Sequence, residues 1–278
     1  MNLQPADFHL SPAHVAGFVS FAAAILLFFV EPRLSAMPLG IYLLLCVAAP
    51  FLPRFSFFLP VVSKGTSGEK AVALTFDDGP DPRSTPELLR LLQKYQVPGT
   101  FFVTGEKAFH HPELIMDILS LGHSIGNHSY SHDNFIMLKG AKTLMKEIQS
   151  TQEILHNFGI RPLAFRPPVG ITNPRLGKVL GKLEMYTVNF SCRAVDAGNR
   201  RIRNLSARIL KRLRPDDIIA LHDTMPPDDA LSHWVNEIEL ILSGIRERGF
   251  TVYPLSQLIG RPVMVTETRD HAPDQDCK

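Results

Sequence analysis

The sequence predicts an α/β protein, a parallel β-sheet covered by helices, preceded by two apolar helices. Strand-like and helix-like segments alternate from residue 71 to residue 254, two apolar stretches open the chain, and polar residues recur where predicted strands end. The 278 residues divide into an N-terminal tail (1–14), a membrane anchor of two helices (15–62), a linker (63–69), an α/β domain (70–260) and a polar tail (261–278). One hydrophobic core can grow to the size of this domain.

The apolar stretches are Val15–Val30 and Met37–Leu52, separated by a polar break at residues 31–33. Each is slightly shorter than the ~20 residues that a spanning helix usually needs, and flanking Phe, Leu and Pro residues extend both. We therefore predict a hairpin of two transmembrane helices. The alternatives are a re-entrant hairpin, or a signal peptide followed by a buried core helix. No Lys or Arg precedes Val15, so the usual basic leader of a signal peptide is missing.

Basic residues that flank the anchor bear on its orientation. Arg33 lies between the two apolar stretches, whereas Arg54, Lys64 and Lys70 follow the second. Because cytoplasmic loops carry an excess of Lys and Arg, this distribution favours a cytoplasmic domain on a bacterial inner membrane. Two crossings place the N-terminus and the domain on the same side in either orientation.

Net charge and cysteine content exclude other classes of protein. The formal net charge is +2, from 29 Lys and Arg against 27 Asp and Glu, so no nucleic-acid partner is expected. Cys46 lies in an apolar stretch, Cys192 in a predicted strand and Cys277 in the polar tail. This distribution indicates neither a disulfide framework nor a cysteine metal site.

Short apolar runs predict the strands of the α/β domain, and longer amphipathic segments predict its helices. The first strand is Ala71–Phe76, and the first helix is Pro86–Tyr95, with Ser84 or Thr85 as its cap. Further strands are predicted at Thr100–Thr104, His123–Asn127, Leu163–Arg166, Met185–Ser191, Asp217–Leu221 and Phe250–Pro254. Further helices are predicted at Pro112–Leu121, Lys139–Phe158, Pro174–Leu183, Leu205–Leu213 and Leu231–Arg248. The alternation fits a parallel sheet that is either open or closed into a barrel.

Polar residues follow five of the predicted strands. They are Asp77 and Asp78, His128 and His132, Arg166, Asp196, and His222. Loops that leave the carboxyl ends of parallel strands converge over one face of the sheet, so we expect these side chains to share one pocket.

Adjacent carboxylates at Asp77 and Asp78 repel each other unless a cation takes one and an arginine or a proton takes the other. His128 and His132 are four residues apart, which directs both imidazoles to one side. With one carboxylate they would form a ligand set that leaves positions open for water and substrate, as a catalytic metal requires. Taken singly, the two pairs also fit a solvated turn and two surface histidines.

The order of the motifs resembles a known family. T-F-D-D-G-P after a buried strand, then N-H-S-Y-S-H, F-R-P-P-V-G and I-A-L-H-D, are similar to the motifs of the polysaccharide deacetylases, the NodB-homology domain of carbohydrate esterase family 4. The resemblance covers about Glu69–Gly260 and makes residues 70–260 a polysaccharide deacetylase catalytic domain. It implies a distorted (β/α) barrel. It also implies metal-dependent removal of an N-acyl group, in the simplest case N-acetyl, from an amino sugar of an envelope glycan or a lipid-linked glycan precursor.

Carried over residue by residue, the resemblance makes Asp78, His128 and His132 the ligands of a divalent metal. Ser129 would orient the turn between the histidines. Two imidazoles and a carboxylate suit zinc, and also cobalt, nickel or other first-row ions, with availability deciding between them.

The resemblance also implies the acid and base of the reaction. Asp77 would be the general base, oriented by Arg166, and His222 would be the general acid that protonates the leaving amine. Asp196 would orient His222. An alternative register gives that last role to Asn199 but loses a matching serine, so Asp196 is favoured.

Five residues are predicted to contact the substrate: Pro168, Val169, Ala197, Ala220 and Leu221. The backbone N–H of Val169 would stabilise the developing oxyanion. Val169, Ala197 and Ala220 replace larger residues that the family usually has around the acetyl group. Two explanations fit these changes. One is neutral sequence drift that neighbouring residues compensate, and the other is a wider pocket that accepts a bulkier acyl group or a lipid-linked sugar.

Two other functions stay open at this point. An O-acetyl glycan esterase would use the same residues with less need for His222, because an alkoxide leaves more easily than an amine. A membrane-tethered carbohydrate-binding protein without activity would bind the sugar and would not hydrolyse it. Asp223, beside His222, is interpreted only as the start of a polar loop.

Overall fold

Residues 10–52, 55–226 and 230–267 are described by the computed structural model, and these ranges contain eleven strands and ten α-helices. The strands are β1 (Val61–Val62), β2 (Ala71–Asp77), β3 (Thr100–Val103), β4 (Ser124–Asn127), β5 (Ile160–Pro162), β6 (Ala164–Phe165), β7 (Tyr186–Val188), β8 (Cys192–Arg193), β9 (Asp217–His222), β10 (Thr251–Val252) and β11 (Met264–Thr266). The helices are α1 (Pro12–Val30), α2 (Met37–Ala48), α3 (Ser84–Tyr95), α4 (Gly105–His110), α5 (Pro112–Ser120), α6 (Ala141–His156), α7 (Leu176–Lys182), α8 (Leu205–Arg212), α9 (Leu231–Glu247) and α10 (Leu255–Ile259).

The main sheet is parallel throughout and has the order β1-β7-β6-β4-β3-β2-β9-β8, with β10 paired to β2. Val188 on β7 and Ile218 on β9 belong to one buried cluster although four strands lie between them in the sheet order. The sheet is therefore curled, and its edge strands β1 and β8 do not pair with each other within the described residues. This confirms the predicted α/β fold and its distorted barrel.

The two faces of β2 pack against different parts of the molecule. Val72, Leu74 and Phe76 point outward to a core shared with α3, α5, α8 and α9. Ala71 and Ala73 point into the curl, where α10 contributes to the inner core. Side chains alternate along a strand, so the same inner face continues toward the carboxyl end of β2, where polar chemistry begins.

The register between β2 and β9 brings two functional candidates side by side. Asp77 is opposite His222, and Thr75 is opposite Ala220. Neighbouring residues in register on parallel strands project to the same face of the sheet. Asp77 and His222 therefore face the same end of the curl although the chain separates them by 145 residues.

Two apolar N-terminal helices, Pro12–Val30 and Pro32–Phe51, are long and apolar enough to cross a membrane. Most of their large side chains are exposed: Phe29, for example, is 80% exposed. The helices pack where Gly17 meets Tyr42, since a Cβ at Gly17 would lie 3.1 Å from the tyrosine ring. The Ala13 N–H donates to the Phe57 carbonyl at 3.0 Å and ties the start of α1 to the chain that follows α2.

Three predicted boundaries are wrong. Val61–Val62, placed in the anchor, forms β1 and pairs with β7. Within the predicted linker, Ser67 N–H donates to the Asp216 carboxylate at 2.9 Å, so this segment is attached to the domain. Met264–Thr266, placed in the polar tail, forms β11 and pairs antiparallel with β5. Such short strands show no periodicity in the sequence, because they form only when a partner strand supplies the hydrogen bonds.

Residues 1–9, Arg54 and residues 268–278 belong to the predicted tails and flanks and lie outside the described residues. Strands β5 and β8 were not predicted, and the remaining strands and the predicted helices agree with their predicted positions to within a few residues. Helices α4 and α10 were not predicted, since both are shorter than two turns.

Candidate functional site

The carboxyl edge of the curled sheet gathers the predicted side chains around one cavity of about 650 Å³. Asp77 ends β2, Asp78 follows it directly, and His222 ends β9. His128 follows β4, and His132 lies four residues further along the same loop. All five line the cavity, and so does Asp196, whereas Arg166, which was expected to share the pocket, is fully buried and does not line it.

Asp78, His128 and His132 form a cluster suited to a cation. One ligand atom from each lies within 4.8 Å of the others. The Oδ1 atom of Asp78 is 2.9 Å from Nε2 of His132 and 3.2 Å from Nε2 of His128. Despite these distances, the angles make no hydrogen bond, and Oδ1 is buried without a hydrogen-bond partner in the described part of the chain. Three atoms that converge on one point without bonding each other fit a shared metal ion.

A backbone carbonyl orients the ring of His128 through the ring nitrogen that does not face Asp78. Its Nδ1 lies 2.7 Å from the carbonyl oxygen of Arg166, so Nδ1–H donates and Nε2 keeps its lone pair toward Asp78. Metal-binding histidines usually have such an outer partner, which fixes the tautomer and the ring angle. Burial opposes the charge of Asp78, but the two imidazoles, when protonated in the metal-free site, outweigh it and hold the pKa of this carboxyl well below its usual range.

The loop that joins the two histidines is held by Asn127 and by Glu147 of α6. Asn127 Oδ1 accepts the Ser129 N–H at 2.9 Å. The Glu147 carboxylate accepts the N–H groups of Tyr130 at 3.1 Å and of Ser131 at 2.8 Å. Asn127 is the first residue of the N-H-S-Y-S-H motif, so the sequence already indicated that it belongs to the site. Nothing in the sequence marks Glu147, because its partners lie on a different element.

Asp77 is paired with Arg166, whose side chain is completely buried. Nη1 of Arg166 donates to Asp77 Oδ1 at 2.6 Å and to the Thr75 hydroxyl at 2.7 Å. Its cationic carbon stands 4.0 Å from the ring centre of Phe102, and Nη2 donates to the Asn189 carbonyl at 3.0 Å. Burial lowers the pKa of Arg166, and the charge and hydrogen bond of Asp77 counteract that effect. This ion pair fixes the position of one carboxylate oxygen of Asp77, and Asp77 itself lines the cavity.

His222 is paired with Asp196. Its Nδ1 lies 2.9 Å from Oδ2 of Asp196. Burial alone would lower the pKa of His222, but the hydrogen bond and charge of Asp196, with further help from Asp78 and Asp77, raise it to about 9. Asn199, the alternative candidate, donates instead to the backbone carbonyl of His222 at 3.1 Å. The imidazole contact therefore belongs to Asp196.

Asp223 does more than begin a polar loop. It is fully buried and accepts hydrogen bonds from the hydroxyls of Ser84 and Thr85, both at 2.6 Å. Burial raises the pKa of Asp223 to about 7, although those two hydroxyls act in the opposite direction. Its N–H donates to the Asp77 carbonyl at 2.7 Å, so it fastens the start of α3 and the end of β2 to β9.

The predicted substrate contacts divide into two groups. Val169, Ala197 and Ala220 line the cavity. Leu221 does not, because side chains alternate along β9 and Leu221 packs in the outer core. Pro168 is buried in the 3₁₀ turn Pro168–Gly170 and does not line the cavity either. Neither side chain lies in the lining of the cavity, and contact of these two residues with a substrate stays a prediction.

Several known sequences are similar to this chain. Residues 64–188 match the family model described as polysaccharide deacetylase. A chitooligosaccharide deacetylase of Bradyrhizobium sp. is 30% identical over 201 residues, covering 69% of this chain and 92% of the relative. A peptidoglycan-N-acetylglucosamine deacetylase of Bacillus cereus is 31% identical over 195 residues, covering 69% of this chain and 90% of the relative.

Solved structures give the same result. A peptidoglycan N-acetylglucosamine deacetylase in complex with 4-naphthalen-1-yl-N-oxidanyl-benzamide superposes with a TM-score of 0.67 at 29% identity, covering 73% of this chain and 94% of that one. A family 4 carbohydrate esterase from Streptomyces lividans in complex with acetate gives a TM-score of 0.60 at 30% identity, covering 71% and 97%.

Asp196→Asn is expected to lower the pKa of His222 from about 9 by more than about one pH unit in metal-free protein. The neutral amide no longer stabilises the imidazolium, whereas burial still opposes it. An NMR titration of the imidazole C–H signals measures the change. His123, whose pKa burial lowers, serves as the internal reference and keeps its value. An unchanged His222 titration would contradict the role of Asp196.

Proposed function

The chain belongs to the polysaccharide deacetylase family and is a hydrolase of carbon–nitrogen bonds, and from this premise we propose that it removes an N-acyl group from an amino sugar. N-acetyl is the simplest such group. The observation that carries the proposal is the grouping of a cation-binding triad, a buried carboxylate and a protonated imidazole around one cavity. The relatives named above are deacetylases of chitooligosaccharide and peptidoglycan, which supports an N-acetylated glycan as the substrate class.

We assign Asp78, His128 and His132 as the ligands of a divalent cation, with zinc as the first choice and cobalt or nickel as others that the ligands accept. The converging, unbonded ligand atoms and the oriented ring of His128 support this assignment. When bound, such a cation polarises the acyl carbonyl and lowers the pKa of a coordinated water.

Asp77 acts as the general base. Arg166 holds one of its oxygens at 2.6 Å and so orients the carboxylate to take a proton from the attacking water. The backbone N–H of Val169 stabilises the negative charge that develops on the acyl oxygen, a role assigned from the family resemblance.

His222 acts as the general acid. With a pKa of about 9 it is protonated at neutral pH and can donate to the departing amine nitrogen. Asp196 stabilises the imidazolium and keeps the ring at the cavity. An amine is a poor leaving group unless it is protonated, so the acid and the base act at opposite ends of the bond that breaks.

We further propose that the two apolar helices anchor the enzyme in a bacterial inner membrane, with the domain on the cytoplasmic side. Their exposed apolar side chains support anchoring, since an exposed apolar surface of this extent is rare on soluble monomers. The hydrogen bond between Ala13 and Phe57 supports a first helix that stays in the protein, as opposed to one removed as a signal peptide. It joins the start of α1 to the segment between α2 and the catalytic domain. The basic residues after the second helix support the orientation.

Asp78→Ala is expected to lose bound metal and to lower turnover of N-acetylated amino sugars by more than about 100-fold, the upper range for loss of an outer partner of a metal ligand. Mass spectrometry of the metal content and assays of released acid and free amine measure the two effects. His156→Ala, which removes an exposed histidine, is the matched control. Full activity in Asp78→Ala, or activity that survives chelation, would refute the metal assignment.

The small side chains in the cavity predict a tolerance for acyl groups larger than acetyl. Ala197→Trp is expected to lower kcat/KM for a butyryl amide relative to the acetyl amide by at least about 10-fold, because each methylene that no longer fits is worth ~1 kcal/mol or more. Ala141→Trp, at the exposed start of α6, is the control. A native enzyme that already strongly prefers acetyl would contradict the wider pocket.

The anchor predicts where the protein is found in the cell. The full chain is expected to stay in the membrane pellet after extraction with alkaline carbonate, which releases peripheral proteins. Protease added to intact spheroplasts is expected to leave the domain uncut and to cut it after lysis. Release by carbonate would contradict anchoring. Cleavage in intact spheroplasts would place the domain on the outer side of the membrane and would contradict only the proposed orientation.

A further inference from the structure

A short segment of the catalytic domain is rich in basic residues and lacks acidic ones. Residues 200–214 contain seven basic residues and no acidic one, although the whole chain has a net charge of only +2. The net charge therefore conceals a concentrated basic segment. Helix α8 lies within it and buries Leu205 and Ile209 in the outer core, so its basic residues point away from the domain.

Four of these basic residues, together with Arg193, form one wall of a second cavity, a groove of about 1300 Å³. The wall consists of Arg193, Arg208, Lys211, Arg212 and Arg214. In the ranges that the structure describes, none of them forms a salt bridge with a carboxylate. Arg208 donates to backbone carbonyls, and Arg212 donates to the Arg193 carbonyl at 3.3 Å. Unpaired guanidinium and ammonium groups that share a groove favour a phosphate as ligand.

Asp217 is the acidic residue among those that line the groove. Its two carboxylate oxygens already accept hydrogen bonds, from the Ser191 hydroxyl at 2.6 Å and from the Arg214 N–H at 2.8 Å. It therefore holds the loop at the base of the groove, and the groove keeps an excess of positive charge.

The opposite wall is apolar and comes from the end of the proposed anchor. Leu45, Leu52 and Phe55 line it, and each of them is at least 40% exposed. If α2 crosses the bilayer, this wall lies at the level of the membrane surface, where hydrocarbon and phosphate meet. The groove thus offers an apolar surface for a lipid chain beside cationic side chains for its phosphate.

The groove is continuous with the candidate active site. Phe190 and Arg193 line both cavities. The cationic carbon of Arg193 stands 4.9 Å from the ring centre of Phe190, so the guanidinium is held at the junction. A ligand whose phosphate is attached directly to a sugar could therefore place the phosphate in the groove and the sugar beside Asp77 and His222.

We propose that this groove binds the phosphate of a lipid-linked amino sugar, with the lipid chain against the end of α2 and the N-acyl sugar in the catalytic cavity. The proposal rests on the proposed function and narrows its substrate to a glycosyl phosphate carried by a membrane lipid. Charge complementarity, the apolar wall and the shared boundary with the active site favour this occupant over a soluble glycan.

Three probes with the same sugar test the proposal: farnesyl-phospho-N-acetylglucosamine, the uncharged farnesyl glycoside of N-acetylglucosamine, and the free sugar. The full chain in detergent micelles is expected to prefer the phosphate-linked probe. The double variant Lys211→Gln and Arg214→Gln is expected to lower kcat/KM for that probe at least 10-fold relative to the other two. Lys211→Arg with Arg214→Lys restores the preference, because the charges return.

Lys178→Gln with Lys182→Gln removes two charges from α7, away from the groove, and leaves the preference unchanged. Equal loss on the charged and uncharged farnesyl probes, or no loss on either, would overturn the phosphate site. An equally strong competition by phosphatidylglycerol would also overturn it, because the groove would then bind membrane phospholipid in general.

Direct binding keeps this test separate from the proposed function. Dissociation constants of the two farnesyl probes are measured with the same variants, so the groove is tested even if no probe is hydrolysed. Absence of turnover with all three probes would count against the proposed function alone. Turnover without a phosphate preference in either kinetics or binding would count against the groove alone.

Discussion

The buried guanidinium of Arg166 is the interaction on which the site depends. It joins the inner faces of β2 and β3 through Thr75, Asp77 and the Phe102 ring, and it reaches the end of β7 through the Asn189 carbonyl. A buried charge without a partner costs several kcal/mol, so Asp77 and the backbone carbonyls must stay in place around it. The carbonyl of the same residue orients His128. One side chain thereby connects the proposed base to the proposed metal ligands.

Backbone strain is concentrated around the same cavity. Six non-glycine residues there have a positive φ: Asp78, Ser129, His132, Val169, Ala197 and Asn199. Left-handed conformations cost free energy for residues with a Cβ, most of all for a β-branched residue such as Val169. The strain is sustained by the loop contacts of Asn127 and Glu147 and by the buried Asp223. The rigid sheet edge thus supports loops that would not adopt these shapes alone.

The molecule combines a polar catalytic site with two apolar N-terminal helices, and its surfaces reflect both. The cavity of the active site opens beside a groove that has one basic wall and one apolar wall. The substrate that we propose, a sugar phosphate carried by a lipid, would use both walls. The small residues Ala197 and Ala220 fit the same substrate, since they leave space in the cavity.

The sequence by itself determined the parallel α/β fold and the motif residues, because strand-end motifs are local and their order identifies the family. It also located the two apolar helices. Only the tertiary structure decided which way Leu221 points, that Asp196 rather than Asn199 meets the His222 ring, and that Glu147 holds the histidine loop. It also revealed that Arg208 and residues 211–214 share a groove with the end of α2. These features depend on contacts between residues far apart in the chain, and such contacts are fixed by packing and strand register rather than by any local pattern.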